Sequence, residues 1–154
     1  MTTPADPRPL FATAVVTAAT VIGATNPDQH RLPTPCAGFD VGGLMSHMLF
    51  ALQRTAAIGR GETEFAMEET PVTTGDWSAD WRAAAEEVHA AWTDDAKLAA
   101  TVVLPWTTLT GAQALATYAG EITTHTWDLA KATGQHVDWD DELCDVALGE
   151  ILGA

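Results

Sequence analysis

The chain has 154 residues, of which 47% are hydrophobic and 18% charged. That is room for one domain spanning 1–154 with a sizeable core, and too apolar for a disordered chain. Seven Lys and Arg against 21 Asp and Glu give a formal net charge of −14. This excludes the basic cluster that nucleic-acid binding needs and argues against an anionic membrane surface.

Cys36 and Cys144 fit no metal-ligand spacing and suit a reduced, cytoplasmic protein. No run reaches the roughly 18 apolar residues of a membrane span. Leu10 to Ala24 resembles the apolar stretch of a leader. However, only Arg8 is positive upstream, and Thr13, Thr17 and Thr20 interrupt the run, so it reads as a helix.

In chain order, Pro4, Pro7 and Pro9 precede a first helix over Pro9 to Thr25, which Asn26-Pro27-Asp28 ends. Residues 31–39 are too rich in Pro and Gly for helix. Asp40 caps a second helix over Val41 to Ile58, closed by Gly59 and Gly61. Residues 62–75 read as loop. Asp76 or Ser78 caps a third helix over Trp77 to Trp92. Asp94 to Trp106 is a connector with a short extended piece at Ala100 to Leu104. A fourth helix covers Gly111 to Ala132 and stops at Gly134, and a short fifth runs from Asp141 to Leu152. The pattern predicts an all-α, up-and-down four-helix bundle with a short extra C-terminal helix. The chain stops at Leu152-Gly153-Ala154 inside an apolar pattern, which suggests that the natural protein continues further.

On the fourth helix the apolar stripe is Leu115, Ala119, Ile122, Thr126 and Leu129. His125 lies at its edge, with Glu121 four residues before it on the same face. On spacing alone a solvent-facing pair is the favoured reading. His47, flanked by Leu44 and Ala51 at helical spacing, points inward; alone it reads as a hydrogen-bonded core histidine. Together His47, Glu121 and His125 supply two imidazoles and one carboxylate, a set that can hold a metal with positions left open. Glu86 and His89 form one Glu-x-x-His, which lacks the second pair that a di-iron bundle needs, and they read as bystanders. His30 and His136 read as solvated. Cys36 reads as a small hydrophobe in a turn, with a reactive thiol as the alternative. Trp127 reads as a packing anchor. Asp128 reads as an exposed or helix-pairing residue, with a contact to a ligand as the alternative.

Two stretches carry a resemblance. One is Thr34-Pro35-Cys36-Ala37-Gly38-Phe39-Asp40-Val41, followed by Leu44 and Ser46-His47-Met48. The other is Glu121-Ile122-Thr123-Thr124-His125-Thr126-Trp127-Asp128-Leu129-Ala130, continuing to Ala132-Thr133-Gly134-Gln135. They resemble the DinB-like superfamily, and more closely the metal-binding N-terminal domain of mycothiol-dependent maleylpyruvate isomerase and its relatives. The resemblance runs from the first helix to Gly134. It implies a divalent metal, zinc or nickel, held by His47, Glu121 and His125. It also implies mycothiol as a co-substrate whose thiolate is the nucleophile, with a small-molecule electrophile as the second partner. A metal-dependent thiol transferase or isomerase is the favoured function. A non-catalytic metal-binding or stress-response protein and a non-haem Fe(II) enzyme are the rivals. The sequence leaves the oligomeric state open, a homodimer included.

Overall fold

The computed structural model describes residues 6–65 and 68–152, with side chains as far as residue 149. Pro4 and the apolar ending at Gly153-Ala154 lie outside the described residues. The chain is mostly helical, and its long helices start and stop where local chemistry dictates. Helix α1 (Arg8–Gly23) carries Pro9 in its first turn, where a missing N–H costs nothing. Helix α2 (Val41–Gly59) begins at Asp40, whose carboxylate accepts the Gly43 N–H at 2.8 Å. Asp76, not Ser78, opens α3 (Trp77–Ala91) by accepting the Ala79 N–H at 3.1 Å.

The connector holds more structure than its sequence suggested. It forms a one-turn helix, α4 (Ala96–Ala99), and then a strand, β1 (Thr101–Leu104). This strand pairs antiparallel with β2 (Thr107–Thr110), with Thr101 opposite Thr110 and Leu104 opposite Thr107. Thr and Val favour the pleated strand. The turn residues, Pro105 and Trp106, are not the Asn-Gly type that announces a hairpin. The all-α expectation therefore needs this two-stranded addition. Helix α5 (Gly111–Thr133) follows at once, opened by a reciprocal Thr110–Gln113 capping box with bonds of 2.9 and 3.1 Å. Gly134, at φ +70°, closes α5 in a left-handed conformation that disfavours residues with a Cβ. Helix α6 (Asp141–Leu152) completes the described chain.

Helix α1 packs on α5 and α3, α2 packs on α3 and α5, and α6 lies along α5. The core joins Phe11 and Val21 of α1, Leu44 and Leu52 of α2, Trp81 of α3, and Leu115, Ile122 and Leu129 of α5. Two indoles tie neighbouring helices through polar bonds inside this core. Trp81 Nε1 donates to the Val15 carbonyl and Trp92 Nε1 to the Thr55 carbonyl, both at 3.0 Å.

Residues 62–65 and 68–75 have no regular structure, and the second stretch is tied down at its end. Gln53 on α2 clasps the Val72 backbone, donating to its carbonyl at 2.7 Å and accepting its N–H at 2.9 Å. Asp80 on α3 accepts from the Thr73 hydroxyl at 2.6 Å and the Thr74 N–H at 2.9 Å. These bonds hold the Asp80 carboxyl below its usual pKa.

Gly111 sits where the hairpin becomes α5, and its N–H donates to the Ala100 carbonyl at 3.0 Å. A Cβ there would run into the Lys97 carbonyl oxygen. Backbone cannot swing aside as a side chain can, so Gly111→Ala is expected to cost about 1–3 kcal/mol by overpacking. Urea unfolding measures it; an unchanged midpoint would mean that the junction relaxes freely.

Candidate functional site

His47 comes from the middle of α2, and Glu121 and His125 from consecutive turns of α5. The structure brings the three together. His47 Nε2 lies 3.1 Å from Glu121 Oε1. The His47 and His125 rings stand perpendicular with centroids 4.9 Å apart. One potential ligand atom from each residue lies within 4.8 Å of the other two. Ligand atoms with bonds of about 2.0–2.2 Å to one tetrahedral ion lie roughly 3.5 Å apart, which three atoms within 4.8 Å of one another reach by small side-chain shifts.

The other ring nitrogen of each histidine is held by a carboxylate. His47 Nδ1 lies 2.6 Å from Glu69 Oε2, and His125 Nδ1 lies 3.2 Å from Asp128 Oδ2. A carboxylate accepts the Nδ1 proton, which leaves Nε2 of each ring as the nitrogen for a ligand. Two imidazoles, a carboxylate beside them and an acceptor behind each imidazole suit a divalent ion. The Glu121 carboxylate raises the His47 pKa; partial burial opposes this, and Glu69 adds to the rise.

The loop before α2 closes over this pair. The Thr34 hydroxyl donates to the Phe39 carbonyl at 2.8 Å and to the Cys36 carbonyl at 3.0 Å. Phe39 then stacks on the His47 ring at 5.0 Å. Cys36 packs against the core, and its sulfur shares a 4.8 Å neighbourhood with His125 and Asp128. Burial, and then Asp128, push its thiol pKa up, which keeps it protonated.

A cavity of about 600 Å³ opens beside His47 and Glu121. Its walls include Arg54, Phe65, Trp106 and Tyr118. Burial, with Glu121 adding to it, pushes the Tyr118 hydroxyl pKa up to about 12, so it remains a hydrogen-bond donor at neutral pH.

The sequence model of the mycothiol maleylpyruvate isomerase N-terminal domain matches residues 11–130. The chain belongs to this family. Its relatives include uncharacterized proteins from two strains of Mycobacterium tuberculosis, each 29% identical over 125 residues. The match covers 81% of this chain and 66% of each relative, so the chain spans about two thirds of their length. No solved structure matches it significantly. Among the described residues, no helix is long and apolar enough to cross a membrane.

Several expectations need correction. Glu121 and His125 are not a solvent-facing pair, since the His125 side chain is only 16% exposed and Glu121 meets His47. Asp128 is buried rather than exposed, with its carboxylate beside His125 and the Cys36 sulfur. Trp127 is no buried anchor. It is 47% exposed and lines a shallow groove with Trp139 and Leu148. His30 is half-buried with its ring edge-on to Trp77, whereas His136 is exposed. Glu86 and His89 lie on the exposed side of α3. Glu69 was missed, for it sits in a segment without periodicity. Arg54 was missed too, although it lies seven residues beyond His47 and hence on the same helical face.

The raised His47 pKa carries a sign. Its stabilisation of the metal-free fold is complete below the ordinary value of 6.5 and is lost as pH rises through the higher folded-state value. Thermal unfolding of metal-free protein between about pH 6 and about pH 9 should show a falling Tm. His47→Ala should flatten that slope and Glu69→Gln should reduce it. A slope unchanged by His47→Ala would assign the effect to another group.

Proposed function

We propose that the chain is a single DinB-like domain, with its long helices in an up-and-down four-helix arrangement, that binds one divalent ion through His47, Glu121 and His125. Zinc or nickel suits this donor set. The reading rests on one observation above the others: each imidazole that faces Glu121 has its Nδ1 beside a carboxylate. Family membership supports it independently.

The function that follows is metal-dependent activation of a low-molecular-weight thiol, mycothiol by family, for transfer to or isomerisation of an electrophile, in the cytoplasm. A divalent ion with three protein ligands supplies Lewis acidity that favours the thiolate form of a bound thiol. The protein's own groups do the rest. Glu69 and Asp128 hold the Nδ1 protons of His47 and His125 and fix both rings. Phe39 shields one face of His47 from water. Tyr118 offers a protonated hydroxyl toward the cavity, where it can hydrogen-bond a developing negative charge.

Purified protein should hold about one divalent ion. His47→Ala, Glu121→Ala and His125→Ala should each lose most of it, and Glu86→Ala with His89→Ala should keep it. Glu69→Gln and Asp128→Asn should weaken metal affinity by about 10–100-fold. Elemental analysis and competition with a chelator measure both effects; full retention in all three alanine variants would sink the ligand assignment.

Cobalt-substituted protein tests the thiol. A near-ultraviolet charge-transfer band should appear on adding a thiol, survive Cys36→Ser, and vanish in His125→Ala. If no low-molecular-weight thiol produces the band, the transferase reading fails and a metal-holding role without turnover replaces it.

A further inference from the structure

His125 belongs to a second group of potential ligands besides the one it forms with His47 and Glu121. The Cys36 sulfur, a carboxylate oxygen of Asp128 and a ring nitrogen of His125 lie within 4.8 Å of one another. Asp128 Oδ2 stands 3.2 Å from His125 Nδ1, so this group gathers at the Nδ1 edge of the ring. Asp128 is buried, and Cys36 and His125 are half-buried.

Local structure fixes all three donors before any ion arrives. The Cys36 carbonyl accepts from the Thr34 hydroxyl at 3.0 Å and from the Phe39 N–H at 3.2 Å. Gly38 makes the turn between them at φ +95°, a conformation that suits a residue without a Cβ. Pro33 bridges to Asp40 at the base of the loop. His125 and Asp128 stand one turn apart on a long helix.

A thiolate in a donor set favours soft d10 cations, whereas imidazole and carboxylate alone also suit harder divalent ions such as cobalt. Binding displaces the Cys36 thiol proton to solvent, and the thiolate and Asp128 then offset the charge of a divalent ion. A neutral imidazole carries one proton. An ion on Nδ1 leaves that proton on Nε2 and so withdraws His125 from His47 and Glu121.

We propose that Cys36, His125 and Asp128 form a second metal site, for a soft divalent cation of the cadmium and mercury class, whose occupation excludes an ion from the first. The exclusion rests on the reading that His125 is a ligand of the first site; the second site does not.

The test titrates cadmium into the metal-free, reduced full chain and follows the ultraviolet thiolate-to-cadmium charge-transfer band. The band should appear and saturate at about one equivalent. Cys36→Ser should remove it and Cys144→Ser should keep it. Cys36→Ala gives the same readout should the serine variant not fold. His125→Ala and Asp128→Asn should weaken cadmium binding at least about tenfold. His47→Ala and Glu121→Ala should keep the band, so failure of the first-site assignment would leave this result standing. Cadmium added to zinc-loaded protein should release the zinc. Absence of the band, or its survival in Cys36→Ser, would overturn the second site. So would its loss in His47→Ala and Glu121→Ala, because Cys36 would then only be joining the first site. Zinc and cadmium held together, counted by elemental analysis, would overturn the exclusion.

Discussion

An imidazole has two ring nitrogens and can offer only one of them to a ligand between α2 and α5; whatever holds the other decides how the ring stands. In this protein that requirement reaches across the whole chain. Asp128 is supplied by the same helix as His125, one turn on, and sits buried beside the Cys36 sulfur. Glu69 must come from a segment with no regular structure of its own. That segment is positioned just after Glu69, where Gln53 of α2 clasps Val72 and Asp80 of α3 holds Thr73 and Thr74. Phe39 is supplied by the loop before α2, closed by the Thr34 hydroxyl. The site is thus a convergence of four segments, with two helices providing the ring-bearing scaffold.

The charge balance of this convergence is informative. Glu69, Glu121 and Asp128 surround two imidazoles, so the metal-free site carries more negative charge than its histidines can neutralise. Like charges gathered in a partly buried place are costly unless a cation offsets them. Protonation of His47 is one way to reduce that cost, and the upward push on its pKa expresses it. A divalent cation is the other. Protons and metal therefore compete for the same ring, and metal binding should be accompanied by proton release.

Much of the helical frame was legible because its boundaries depend on single residues with strong local preferences. Asp40, Asp76 and Gly134 mark ends that the structure reproduces within a residue, since capping is chemistry between near neighbours. Helical spacing alone favoured a solvent-facing Glu121–His125 pair and a core His47; the three stood out only when taken together and through the family resemblance of the stretches that carry them. The hairpin was only half visible, for its Pro105-Trp106 turn lacks the glycine or asparagine that usually signals one. Glu69 had no signal at all. Glu62, Glu64 and Glu68 are its neighbours in the same aperiodic stretch, and only tertiary tethering from α2 and α3 selects one of them. Asp128 and Trp127 were misjudged in opposite directions. A periodic stripe predicts one buried face; it reveals neither that Cys36, from the loop before α2, lies against Asp128 nor that Trp127 stays half exposed in a groove beside α6.

The Gln53 clasp has a consequence for observing this protein. Amides in aperiodic surface segments usually exchange their protons with water quickly, because nothing holds them. The Val72 N–H is an exception, donated to a side chain on α2 while its own residue is 82% exposed. Its exchange rate is thus a single-site gauge of how often the strap lifts. Because the same segment carries Glu69, each lifting takes the acceptor from His47 Nδ1 and leaves the ring to Glu121 and Phe39, so exchange at one loop amide reports how often the site loses that support.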